Sequence, residues 1–370
     1  MAERRDSSES YSGQSAEALD HPLARRLWQA ELAALDLYAV YLGERLGLYD
    51  DLAARGPATP SELAERTGTA ERYIREWLEQ QTVTGLLHVE NASAPAEARR
   101  YSIPEEHIPV LVDRDNLSFS AHKAIDIVRG SRRLPDLVEA FRSGGGIPPL
   151  PWEPEGRAEF NRARFVNLLA NVWLPSIPEV DERLRGDPPA RVADIACGMG
   201  WSSIAMAKAY SKITVDGFDL DEDAIERAKT NAMESGVADR VSFRAADAAH
   251  PGFSGRYDLA TIFEALHDMS RPVEALRAAR SLLDEAGCVL VADELVGEEF
   301  ALPAGDRERD AYGWSVVSCL PDAMGDPETA ATGAVMRPPT LKRYASEAGF
   351  ARVDVLPIET EFWRFYRLVP

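Results

Sequence analysis

Between Arg191 and Asp293 short apolar runs alternate with segments of helical period, and this alternation restricts the chain to one class of fold. Residues 192–196, 213–219, 241–245, 257–263 and 287–293 have the length and the Val, Ile, Leu and Phe content of buried strands. Between them, residues 201–210, 224–235 and 272–283 read as helices. Asp221 stands where it caps the second of these and Gly236 where it closes it. Strands joined through helices pair in parallel, and a parallel sheet is covered by helices on both faces. The expected fold class is therefore α/β, a doubly wound Rossmann-like domain. A helix at 341–348 and strands at 352–356 and 361–368 should add an antiparallel hairpin at the sheet edge.

The first strand runs directly into Cys197-Gly198-Met199-Gly200 and then into a helix. In open α/β sheets ligands bind beyond the carboxyl ends of the strands, and glycine there admits a close approach to backbone. Asp219 ends the next strand at the distance, about 20 residues on, that suits a carboxylate accepting hydrogen bonds from ribose. The pattern calls for a nucleoside. It is not the dinucleotide fingerprint G-x-G-x-x-G, because Ser203 stands at the third glycine. Asp194 ahead of the glycines would also repel a pyrophosphate, whereas it suits an ammonium group.

Asp194-Ile195-Ala196-Cys197-Gly198-Met199-Gly200 resembles the first motif, D-x-G-x-G-x-G, of the class I S-adenosylmethionine-dependent methyltransferases, with Ala196 in place of the first glycine. The resemblance implies S-adenosyl-L-methionine as cofactor and S-adenosyl-L-homocysteine as its product. It places Asp219 and Leu220 at the ribose end of the second strand, Ala246 and Asp247 beside adenine, and Phe263 and Glu264 along the cofactor.

Glu264-Ala265-Leu266-His267-Asp268-Met269-Ser270 resembles the Leu-His-Asp-Trp-Ser segment of the small-molecule O-methyltransferases of the caffeate and hydroxyindole type. Carried over, His267 is the general base that takes the proton of a hydroxyl acceptor, a role histidine suits at neutral pH. In Val291-Ala292-Asp293-Glu294, Asp293 takes the position of the carboxylate that aids the base, with Glu294 as its alternative. The same fold also serves N- and C-methylation and non-methylating chemistry. His21, His88, His107, His122 and His250 fall in loops or wing-like segments and are expected to pack or to face solvent.

The N-terminal part has a different pattern. Leu32, Leu35, Tyr38, Leu42 and Leu46 recur at helical spacing, residues 62–67 and 70–82 read as two further helices, and 85–89 and 100–103 as short strands. Helix, helix-turn-helix and wing together read as a winged helix, and the resemblance makes it a dimerisation domain. The expected organisation is a disordered tail at 1–21, a winged-helix domain at 22–124, helical linker and lid elements at 125–182, and the methyltransferase domain at 183–370 with a lid insertion at 297–338. Phe160, Asn161, Phe165, Trp173 and Trp314 are candidate walls of the substrate pocket, with Trp152.

A net charge of -20 repels a phosphate backbone, so nucleic acid is not an expected partner. A winged helix that reads DNA would use its second helix, but there Arg72 and Arg75 are offset by Glu71, Glu76 and Glu79. The three cysteines, Cys197, Cys288 and Cys319, are too widely spaced for a recognisable metal motif and fit a reducing cytoplasm. No apolar run suits a signal peptide or a membrane span. The expected partners are a small-molecule substrate and a second copy of the chain.

Overall fold

A computed structural model describes residues 21–147, 157–249 and 256–370. Residues 1–20 of the expected tail, Trp152 and His250 lie outside these residues, as does the side chain of Phe160, while His21 caps the first helix by accepting from Leu23 N. The chain packs as two compact units. One holds the described residues up to Asp113 together with Ser118–Val128; the other holds Arg114–Leu117 and Arg129–Pro370. The segment expected as linker therefore divides at Val128.

The first unit contains α1 (Pro22–Arg45), α2 (Leu48–Arg55), α3 (Pro60–Thr67), α4 (Glu71–Val83) and a two-stranded wing, β1 (His88–Val89) and β2 (Tyr101–Ser102). Thr59 and Glu62 form a reciprocal capping box that starts α3, and Gly68, at φ 67°, ends it in the left-handed conformation. Leu48, Leu52, Leu63, Ile74, Leu78 and Tyr101 fill the core. The apolar stripe of α1 does not join them. Val40 and Gly43 are the buried residues of that helix, and Gly43 faces the rings of Tyr49 and Trp77 so closely that a side chain there would collide with both. This contact turns Leu23, Leu27, Trp28, Leu32, Leu35, Tyr38, Leu42 and Leu46 outward, each more than a third exposed.

The second unit contains α5 in part (His122–Arg132), α6 (Leu134–Ser143), α7 (Arg157–Arg164), a π-helical stretch (Phe165–Trp173), α8 (Pro178–Arg185), β3 (Arg191–Ile195), α9 (Trp201–Ala209), β4 (Thr214–Asp219) and α10 (Glu222–Glu234). It continues through β5 (Val241–Ala245), β6 (Tyr257–Phe263), α11 (Pro272–Ser281), β7 (Leu283–Glu294), α12 (Asp306–Trp314), a π-helical turn (Ser315–Cys319), α13 (Leu320–Ala323), α14 (Pro338–Glu347), β8 (Arg352–Val355) and β9 (Trp363–Val369).

The seven strands lie in the order β5-β4-β3-β6-β7-β9-β8. The first five run parallel, and β9 inserts antiparallel between β7 and β8. Side-chain alternation divides the core into two layers. Val192, Val215 and Leu259 pack with Trp173, Leu184, Ile204 and Ile225 on one face; Ala193, Phe218, Ala260 and Val289 pack with Leu276, Leu341 and Tyr344 on the other. The order reverses between β3 and β6, so their carboxyl ends open the crevice in which such sheets bind ligands. Among the described residues no helix is long and apolar enough to cross a membrane. In the 297–338 insertion, Arg133 forms an ion pair with Asp322 of α13, which fastens the insertion to the start of α6.

Candidate functional site

The loop after β3 leaves the sheet through three residues with left-handed backbone: Ala196 at φ 56°, Gly198 at 52° and Gly200 at 78°. Only glycine adopts this freely, so Ala196 carries a local strain of about 1–2 kcal/mol. Gly200 has a second constraint. A Cβ there would lie 2.5 Å from Phe243 Cζ and 3.0 Å from Ala228 Cβ, and Gly217 on β4 touches the same ring. Phe243 is thus wedged between two glycines, and α9 begins against it. Asn231 of α10 donates to Met199 O at 3.0 Å and holds the loop from behind.

Asp194 lies under this loop, 1% exposed. It accepts from Ser202 Oγ at 2.5 Å, Ser203 Oγ at 2.6 Å and Thr261 Oγ1 at 2.7 Å. Burial raises the pKa of the carboxyl, and the three hydroxyls act against that rise. The geometry gives Asp194 the task of joining β3, β6 and the first turn of α9. It leaves the side chain closed to solvent and not turned outward toward an ammonium group. Ser203, which breaks the dinucleotide fingerprint, is one of its partners. Thr261 was legible as a polar residue inside the apolar run 259–263; the two serines carried no such signal. Cys197 is also buried, and its backbone N–H continues the pairing to Phe218 O at 3.0 Å.

At the end of β4, Asp219 accepts from Gly198 N at 2.7 Å and from Asp221 N at 2.9 Å. Burial, with Asp221 and Asp194 nearby, raises its pKa despite these bonds. Leu220 beside it is largely exposed, an apolar face at the mouth of the crevice. Ala246 donates to Asp219 O at 2.8 Å, while Asp247 pairs with Arg271 at 3.0 Å. That ion pair has no signature in the sequence.

Glu264 follows β6 at φ 52° and is buried; its charge acts on Arg164 at the end of α7, whose own burial pushes it down to about 10. Phe263 turns into the core. Its ring lies 5.7 Å from that of Phe165 and 6.5 Å from that of Phe365, and Trp173 packs on Trp363 and Phe365. Phe165 and Trp173, expected as pocket walls, are closed to solvent in this aromatic cluster, because the wide turns of the π-helical stretch direct both into the sheet. Trp314, at the end of α12, is partly exposed.

His267 and Asp293 meet at the ends of β6 and β7. The imidazole Nδ1 lies 2.7 Å from Asp293 Oδ1, the His267 backbone N–H donates to Asp293 Oδ2 at 3.3 Å, and both side chains are buried. Asp293, not Glu294, takes the carboxylate position. Nε2 lies 3.2 Å from Asp268 Oδ1. Burial lowers the pKa of the ring, and the carboxylates of Asp268 and Asp293 outweigh it and hold the imidazole well above its ordinary value.

The donor set suits S-adenosylmethionine. Asp219, Asp247 and Glu264 are acceptors for hydroxyls and cations and would repel a diphosphate. A Cβ on Gly198 would meet nothing within 4 Å, so its left-handed backbone borders open space. Two buried polar atoms, Trp201 Nε1 directly after the loop and Asn161 Oδ1 in α7, have no hydrogen-bond partner among the described residues.

Comparison with known proteins agrees with this chemistry. Residues 187–320 match a methyltransferase domain model, and residues 33–113 an Rv2258c-like winged HTH domain model. The chain is 34% identical over 173 residues to the ubiquinone biosynthesis O-methyltransferase of Bordetella avium, covering 44% of this chain and 67% of that protein. It is 31% identical over 176 residues to the Bordetella bronchiseptica protein of the same name, covering 44% and 68%. Among solved structures, human N-acetylserotonin methyltransferase aligns with a TM-score of 0.66 at 18% identity over 95% of this chain and 98% of that one. The mitomycin 7-O-methyltransferase MmcR aligns at 0.62 and 19% identity over 96% and 99%. A crevice lined by acceptors, a methyltransferase domain and these relatives together place the chain in the S-adenosylmethionine-dependent methyltransferases, in the architecture with an N-terminal winged helix.

Proposed function

We propose that this enzyme methylates a hydroxyl group of a small molecule, with His267 as general base. The observation that carries this reading is the buried Asp293–His267 pair at 2.7 Å, which leaves Nε2 as the ring's remaining nitrogen. Asp293 accepts from Nδ1–H and so fixes the tautomer whose Nε2 lone pair receives a proton. When bound, S-adenosylmethionine supplies an electrophilic methyl group on a sulfonium centre. The protein's part is to hold the acceptor and to take its proton at Nε2. Gly198 and Gly200 give the loop its shape, Asp219 receives ribose hydroxyls, and Leu220, Ala246 and Asp247 border the base.

Solved structures of the same fold include NcsB1 with 2-hydroxy-5-methyl naphthoic acid and the N,N-dimethyltransferase RosA, at TM-scores of 0.58 and 0.60. Hydroxyl and amine acceptors thus share one scaffold, and the histidine–aspartate pair favours the hydroxyl, whose proton must be removed as the new bond forms. Incubation with carbon-labelled methyl donor and a panel of small phenols, hydroxy acids and amines tests this. A labelled methyl ether in the product supports it; label only on nitrogen or carbon refutes it.

Asp219→Ala is expected to weaken S-adenosylmethionine binding roughly 10-fold or more by calorimetry, since charge-assisted hydrogen bonds contribute about 1.5–3 kcal/mol each. Unchanged affinity would remove Asp219 from the site. The outward stripe on α1 is read as the contact with a second copy of the chain, because contiguous exposed apolar surface of this extent marks an interface. Leu35→Asp with Leu42→Asp is expected to shift the light-scattering mass from a dimer to a single chain; a monomeric wild type would refute the dimer.

A further inference from the structure

One group near the proposed base is not used by the mechanism proposed above. Cys319 closes the π-helical turn Ser315–Cys319, is 2% exposed and takes part in no disulfide. Its Sγ, a ring nitrogen of His267 and a carboxylate oxygen of Asp268 all lie within 4.8 Å of one another. Nε2 is buried and makes no hydrogen bond within the described residues; Asp268 Oδ1 is near it, at 3.2 Å, but off its hydrogen-bonding direction. The other ring nitrogen is held by Asp293, the carboxylate–histidine arrangement that orients imidazoles toward metals.

We propose that His267, Asp268 and Cys319 form a binding site for a thiophilic divalent cation, zinc foremost, and that its occupancy silences the base. One sulfur, one nitrogen and one oxygen donor is a set that zinc accepts and that magnesium and calcium do not. Tetrahedral bonds of about 2.0–2.3 Å put zinc ligands roughly 3.3–3.6 Å apart. The nitrogen and oxygen are already at that spacing, and closing the sulfur on them takes about an ångström of side-chain movement. The Asp268 side chain is 40% exposed and offers the entry path. Coordination releases the thiol proton of Cys319 to solvent, along with any proton on Nε2, with no change of oxidation state. The metal and the acceptor's proton then compete for the same Nε2 lone pair. The silencing, though not the binding, rests on His267 being the base.

The test uses metal-stripped full-length enzyme titrated with cobalt(II), whose thiolate charge-transfer absorption in the near ultraviolet reports sulfur ligation, and with zinc in competition. Wild type and Cys288→Ser should show this band at one equivalent, and Cys319→Ser should lose it with roughly 100-fold weaker zinc binding. Cys319→Ala provides a second check, and retained S-adenosylmethionine binding shows that each variant is folded. Cys319→Ser should keep basal turnover and lose zinc inhibition. A band that persists in both Cys319 variants, or no saturable cobalt binding, overturns the site. A band that depends on Cys319 with turnover unaffected by zinc overturns the silencing and, with it, His267 as base.

Discussion

His267→Ala is expected to lower kcat/KM by about 10²–10⁴-fold, the usual contribution of a positioned general base. S-adenosylmethionine affinity should stay within about twofold, because the proposed ribose and adenine contacts, Asp219 and Asp247, follow β4 and β5 and do not touch His267. The two readouts separate loss of a proton acceptor from loss of the site, and equal turnover in mutant and wild type across pH would refute the assignment. The pH profile adds a second check. Asp268 and Asp293 hold the imidazole above its ordinary pKa, so the neutral base forms only as pH rises past the histidine range of about 6.5. In buffer containing chelator, the rising limb of kcat/KM should lie above that value, and Asp268→Asn should move it to lower pH. The sign for stability is opposite. A pKa raised on folding contributes stability that is complete below about 6.5 and fades as pH climbs through the folded value. The stability gap between wild type and His267→Ala should therefore narrow with rising pH.

Gly200→Ala is expected to destabilise the catalytic unit by about 2–5 kcal/mol in urea denaturation. Two effects add. The left-handed φ of 78° is strained for any residue with a Cβ, and that Cβ would stand 2.5 Å from Phe243 Cζ. Phe243 cannot retreat, because Gly217 closes on its other side. In a Phe243→Leu background the ring atoms are gone, so the same substitution should cost less by at least about 0.5 kcal/mol, while the backbone strain remains. Full additivity would show that the ring is not the obstacle. A Gly200→Ala protein with unchanged midpoint would refute the close approach itself.

Both predictions draw on features that differ in how plainly the sequence displays them. The parallel sheet, the loop at Gly198 and Gly200 and the strand-end Asp219 were readable because period, turn chemistry and spacing are local. The hairpin of β8 and β9 at the sheet edge was readable for the same reason. Side-chain direction was less so. Asp194 was expected to face an ammonium group, yet it receives Ser202, Ser203 and Thr261 from two other elements. Phe165 and Trp173 were expected to line a pocket, yet a π-helical stretch turns them into the aromatic core. The stripe on α1 was recognised as apolar, but only the packing of Gly43 on Tyr49 and Trp77 decides that this stripe is the outward one.

The sequence by itself determined the order of strands and helices along the chain, the glycine loop proposed for the cofactor and the residue types of the proposed base and its carboxylate. Periodicity and glycine placement depend on neighbours along the chain, so these follow from short windows. The tertiary structure alone decided that Asp293 and not Glu294 meets His267 and that Cys319 stands beside them. It also decided that Phe243 fixes the loop's two glycines. Those contacts join residues distant in sequence, and a side chain's partner there is set by strand register and helix phase, which are settled only when the core packs.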